Sequence, residues 1–277
     1  MTDLKNMLKL SAAPASDELS LVSNYFKETC NCYAYAVQDY IAGYLSEDNK
    51  ADRNYLPRPG QIRGHTYADL KDFNVEGMRR AIHEDGLNFA GVRYPKKIPP
   101  GHYVICCFLE PGEYHFIRQN RDGSWSSKDG RKLPARGDED GNPMANPEDY
   151  YRGKKGFQFV GYFYVPEGGI KIGVRACEKK RLEALKKKAQ TPDERREKKF
   201  LTELVALSEE GDRIVQTMRE LSLTEGSEPN KDIGNMWADY RRRFKRISRL
   251  MAGYTRRDIL KETYTHPKNA KNNDVSR

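Results

Sequence analysis

Two spacings of hydrophobic residues divide the chain. From residue 86 to residue 165 the apolar positions fall in short runs of strand length. These are 102–109 (HYVICCFL), 114–119 (YHFIRQ), 124–128 and an aromatic run at 157–165 (FQFVGYFYV). Pro99-Pro-Gly101, Pro111-Gly112 and Asn120-Arg-Asp-Gly123 punctuate them, and the last is a hairpin turn signal. Upstream, Ala34, Val37, Ile41 and Leu45 recur at three- and four-residue spacing, which predicts a helix over 33–45. Asn74 as cap and Gly86 as stop predict a second helix from Val75 to about Asp85. A polar, Gly/Pro-rich loop is expected at about 130–155. Helices first and an antiparallel meander afterwards is an α+β layout.

Beyond residue 175 the period changes to that of packed helices. Phe200, Leu204, Leu207, Ile214, Met218 and Leu221 form one seam; Trp237, Tyr240, Phe244, Ile247, Met251 and Tyr254 form another. Residues 224–230 break the pattern between them. An antiparallel helical hairpin, or a coiled coil that binds a partner, is expected. From His266 onward the chain is polar and expected to fray.

Charge sharpens this division. Through residue 174 there are 23 basic and 23 acidic residues; beyond it there are 26 and 17, so the whole surplus of +9 lies in the last third. Two units are therefore expected, 1–174 and a basic helical 175–277. No apolar run reaches the length of a membrane-spanning helix, and residues 1–20 lack a signal-peptide hydrophobic region. The expected location is the cytoplasm, or outside the cell by a specialised secretion route without a cleaved Sec signal. Cys30, Cys32, Cys106, Cys107 and Cys177 are odd in number and poorly spaced for cross-links or zinc, so reduced thiols are expected.

One thiol has a setting for chemistry. Cys32 stands at a helix start with Asn31 as cap, where unpaired N–H groups and the positive helix end favour thiolate. Its own N–H could donate to an oxyanion. The same place also suits a small buried residue. A thiolate nucleophile needs a base and an orienting group. Of His65, His83, His102, His115 and His266, only His115 begins a hairpin that can set an acid opposite it. With Asn120–Gly123 as the turn, one register places Asp129 opposite His115 and on the same face. Asp129 equally suits an Asp-Gly turn, and Asp122 is a weaker orienter.

Cysteine at a helix start followed by a sheet bearing histidine resembles the layout of papain-like cysteine hydrolases. Asn31-Cys-Tyr-Ala-Tyr-Ala36 resembles the segment that begins the catalytic helix in CHAP amidases, related to NlpC-type peptidases. Together with Tyr114-His-Phe-Ile-Arg-Gln119, Asp122-Gly-Ser-Trp-Ser126 and Phe159-Val-Gly-Tyr-Phe-Tyr164, it is similar to a group of bacterial proteins. The resemblance covers about residues 24–165. It implies a papain-like core with Cys32 as nucleophile, His115 as general base and Asp129 as orienter, cleaving an amide without metal or cofactor. The chain departs from the family in lacking a Gly-His-Val strand start and a Gln six residues before Cys32, which leaves Asn24 or Asn31 for the second oxyanion donor. A secreted effector or toxin acting on a protein or peptide is one expectation. Glutamine deamidation or transglutamination would use the same three residues. A non-catalytic adaptor would instead bind an acidic protein, or less readily nucleic acid, through Arg241–Arg246 and Lys186–Lys188.

Overall fold

The computed structural model describes residues 12–14, 22, 26, 30–41, 58–60, 74–130, 132–137, 142–152, 156–172, 174–188, 191–222 and 231–251. Within them, β1 (Asn88–Gly91), β2 (His102–Glu110), β3 (Glu113–Gln119), β4 (Trp125–Lys128), β5 (Pro134–Arg136) and β6 (Gln158–Pro166) form one antiparallel sheet. The strand order is β1-β6-β2-β3-β4-β5. Strands β2 to β4 are the expected meander, β5 extends it, and β6 returns along the other side of β2. The helices are α1 (Cys32–Ala36), α2 (Val75–Glu84), α3 (Pro147–Arg152), α4 (Val174–Lys188), α5 (Pro192–Ser222) and α6 (Lys231–Met251). The α+β class with a helical C-terminal part holds.

Helix α2 follows its sequence signals. The Asn74 side chain accepts from the Gly77 N–H at 2.8 Å, and Gly86 leaves the helix with φ of 93°. Helix α1 does not run through the stretch expected for it. It stops at Ala36, Gln38 turns left-handed at φ 61°, and the Asp39 N–H closes back on Ala34. Tertiary contacts end it: the Val37 carbonyl accepts from Ile170 N–H at 3.1 Å, and the buried Asp39 carboxylate accepts from Ile172 N–H at 3.0 Å. A Cβ on Gly169 would overlap the Val37 carbonyl. Residues 42–45 of that expected helix lie outside the described residues. The region expected as a loop at 130–155 contains β5, paired to β4, and α3, which Pro147 begins.

Both faces of the sheet are covered, and strand alternation assigns each residue to one of them. Tyr103, Ile105, Cys107 and Leu109 of β2 and Phe116 of β3 join α1 in the larger apolar cluster. Val104, Cys106 and Phe108 of β2, Ile117 of β3, Trp125 of β4 and Tyr162 of β6 make a second cluster on the outer face. The β3–β4 register pairs Ile117 with Ser127, Arg118 with Ser126 and Gln119 with Trp125. Continued by two residues, this register sets Asp129 opposite His115.

The C-terminal helices pack on the α1 side. The Gly211 position on α5 abuts Tyr240 of α6, and Arg243 of α6 pairs with Glu210 of α5, so the two run antiparallel as expected. Leu201, Leu204, Leu207, Ile214, Met218, Trp237 and Tyr240 are buried in the same cluster as Phe26, Tyr40 and Ile41. The textures that separate near residue 175 therefore share one core. Phe244, Ile247 and Met251 carry side chains outside the described set, as do residues 254 and 266–277.

Candidate functional site

The Asn31-to-Ala36 segment is built for close packing. Asn31 caps α1, its side-chain oxygen accepting from Ala34 N–H at 3.0 Å. Ala34 and Ala36 bring the helix near the sheet, while the two intervening tyrosines are fully buried and satisfied. Tyr33 donates to Asp85 at 2.7 Å, and the Tyr35 hydroxyl shares a 2.8 Å hydrogen bond with Ser126 on β4. The Arg118 guanidinium carbon lies 4.1 Å from the centre of the Tyr35 ring, and Arg118 donates to Tyr40 Oη at 2.6 Å and to the Tyr35 carbonyl at 3.3 Å. Ser126 in turn donates to Asn120 Oδ1 at 3.0 Å. This buried network ties α1 to β3 and β4. Arg118 and Ser126 were absent from the sequence-based set; the signal for Arg118 was an arginine at an inward-facing strand position.

Cys32 lies inside this packing with 7% of its surface exposed. Its thiol donates to the Tyr114 carbonyl at 3.8 Å. Burial pushes the thiol up to about 12, overriding the backbone N–H groups of Phe116 and Tyr33 that favour the thiolate. The Asp129 charge raises it further, and that of Lys128 opposes. The expected helix-start activation is thus reversed: a five-residue helix has a weak macrodipole, and desolvation outweighs it. Cys30 is held likewise, pushed up to about 12 by burial, with its S–H on the Phe26 carbonyl at 3.4 Å. Cys30, Cys32, Cys106 and Cys107 are free thiols, all buried.

His115 follows the residue whose carbonyl receives the Cys32 thiol. Its strand neighbours Tyr114 and Phe116 pack on the α1 side, and His115 pairs with Phe108, whose side chain lies in the outer cluster. Strand alternation directs the His115 side chain to the face of Phe108, opposite that of Tyr114 and Phe116, while the sulfur lies beside β3 at the Tyr114 carbonyl and the Phe116 N–H. Of the three expected residues, His115 and Asp129 line one cleft together with Tyr114, whose carbonyl receives the Cys32 thiol. Asp129 there binds Lys132 at 2.6 Å. Asp122 is taken up by the turn, accepting from Ser124 N–H at 2.9 Å and Ser124 Oγ at 2.6 Å. Asn31 Oδ1 accepts the cap hydrogen bond from Ala34 N–H, and Asn24 lies outside the described residues. His83 is exposed on α2, His102 Nδ1 is 3.0 Å from the Pro100 carbonyl, and His65 and His266 lie outside the described residues.

The cleft on the outer face holds about 600 Å³. Glu110 and Glu113 from the β2–β3 turn, Asp129 and Lys132 from the β4–β5 turn, and His115 and Ser127 from the strands surround it. Leu133, 55% exposed, and Phe157 add apolar wall. Its polar groups come from two turns carried on a rigid sheet, a common arrangement for binding sites. Among the described residues no three His, Cys, Asp or Glu side chains converge as metal ligands.

The basic helices are laced with ion pairs. Lys179 reaches Glu209 at 3.2 Å, Arg181 is bidentate to Glu197 at 2.9 Å, and Arg242 reaches Asp239 at 3.2 Å. Lys171 bridges from the sheet region to Asp212 of α5 at 2.6 Å. Among the described residues, no helix is long and apolar enough to cross a membrane.

No family model matches this chain, and no solved structure matches it. It is 32% identical over 137 residues to the insoluble matrix shell protein 1 of Ruditapes philippinarum, a match spanning 49% of this chain and 78% of that protein. At that identity and coverage, the chain belongs to the family of this insoluble matrix shell protein.

Proposed function

We propose that this protein works by association rather than by bond cleavage, using the cleft beside His115 and Asp129 to hold a basic side chain of a partner protein. The observation that carries this reading is the burial of Cys32, whose thiol is held on the Tyr114 carbonyl, while strand alternation directs His115 to the face of Phe108. A cysteine hydrolase, a glutamine deamidase and a transglutaminase all require sulfur and imidazole within hydrogen-bond reach. The buried, protonated thiol gives those readings no support. The Ruditapes relative is named for an insoluble matrix, a description of assembly.

The chemistry of the cleft selects the ligand. Three carboxylates, Glu110, Glu113 and Asp129, face one ammonium, Lys132, which is already paired to Asp129. A lysine or arginine side chain fits such a lining, its charged end among the carboxylates and its methylene stem on Leu133 and Phe157. An acidic partner or nucleic acid on the basic helices is less supported, because Lys179, Arg181, Arg242 and Arg243 are engaged with carboxylates of the helical part.

Titration calorimetry with a lysine-rich peptide tests this. Glu110→Gln with Glu113→Gln should weaken binding by about tenfold, on the scale of a lost charge pair, while Cys32→Ala leaves it unchanged. Preference for a glutamate-rich peptide, or loss of binding on Cys32→Ala alone, would contradict the reading.

A further inference from the structure

We propose that Asp85 is a proton-operated latch that holds the segment 58–60 and Tyr33 of α1 against the C-terminal end of α2. Asp85 caps α2 at φ −80°, ψ 1°, the negative end of the helix, where a carboxylate is electrostatically misplaced. One of its oxygens, Oδ2, accepts both available donors: Tyr33 Oη at 2.7 Å and Gly60 N–H at 2.8 Å. The other, Oδ1, is sealed from solvent without a hydrogen-bond partner.

That asymmetry matches a neutral carboxyl group. A carbonyl-type Oδ2 accepts two hydrogen bonds, and a hydroxyl Oδ1–H is tolerated where an ionised oxygen is not. Ionisation leaves half of a buried negative charge unsolvated, and the relief is water at Oδ1, which enters when segment 58–60 parts from α2. The groups facing the site are Tyr33 from α1, the Gly60 N–H of the held segment and Glu84 beside Asp85 on α2; Arg58 on the same segment is buried. Tyr114 and Cys107 lie beyond Tyr33 on the strands. Burial, reinforced by Glu84, raises Asp85 from 3.8 to about 7, against the Tyr33 and Gly60 hydrogen bonds that lower it. The latch is therefore closed below neutrality and released above it.

Hydrogen exchange of the Gly60 amide in the full chain tests the latch. After correction for intrinsic exchange, protection should fall by about tenfold between about pH 6 and about pH 8, and Asp85→Asn should abolish that step. Tyr33→Phe removes a donor that favours the ionised form, so it should move the step to higher pH. This second variant decides the matter if Asp85→Asn does not fold. Protection independent of pH in the natural chain, a step that persists in Asp85→Asn, or a midpoint unmoved by Tyr33→Phe would each overturn the proposal.

Discussion

The Cys32 thiol donates to the backbone carbonyl of Tyr114 at 3.8 Å, one residue before His115. The β3–β4 ladder ends at Ile117 and Ser127. Beyond it the sulfur occupies the space beside β3, meeting the Tyr114 carbonyl and the Phe116 N–H. Cys32 thus closes the end of a ladder, a packing role that accounts for its burial.

Cys32→Ala keeps that packing approximately and removes only the sulfur. It should cost about 1–2 kcal/mol, the range for a small buried truncation, and leave the fold intact. Urea denaturation measures it; a loss of function without loss of stability would point back to chemistry at the sulfur.

Arg118 is the more demanding position. Its guanidinium stacks on Tyr35 and donates to Tyr40 inside the core. Lysine has neither the planar face nor the fork of donors. Arg118→Lys should destabilise by about 2–4 kcal/mol in the same assay, more than Cys32→Ala.

The helices after residue 174 are part of the core and not a detachable arm. Trp237, 5% exposed, meets the Phe26 ring edge-on at 5.0 Å and stacks on Tyr240 at 5.3 Å. Trp237→Ala should cost about 3–5 kcal/mol, and one cooperative unfolding transition is expected for the sheet and helices together. Two separate transitions in calorimetry would contradict this.

Stability should also depend on pH through Asp85. Its folded value of about 7 lies above the ordinary 3.8, so the folded state binds the proton more tightly. The contribution is fully present below 3.8 and is lost as pH rises through 7. Thermal melts between these limits should show falling stability with rising pH, and Asp85→Asn should flatten that part of the profile.

Much of this architecture is readable in the residues themselves. The runs at 102–109, 114–119 and 157–165 became β2, β3 and β6 within a residue at each end, and Asn74 and Gly86 bound α2 as local chemistry requires. β1, β5 and α3 were missed because they are four, three and six residues long, and depend on their neighbours more than on their own pattern. Helix α1 was overextended because the groups that stop it, Gly169, Ile170 and Ile172, are far away in sequence.

The same limit governs the site. Cross-strand pairing correctly put His115 and Asp129 on one face. It could not say which face carries α1, because β3 alternates Tyr114, Phe116 and Arg118 with His115, Ile117 and Gln119. Neither set is plainly polar, since both faces of the sheet are covered. Only the packing of Phe116 against Tyr33, ring centres 4.7 Å apart, fixes the answer.

Residue-resolved alkylation of the native chain by iodoacetamide at neutral pH separates a packed Cys32 from a nucleophilic one. A sealed, neutral Cys32 predicts negligible modification until the protein is unfolded, with no change on His115→Ala. Rapid, selective modification of Cys32 that disappears on His115→Ala would contradict the account and restore a nucleophile paired with that histidine.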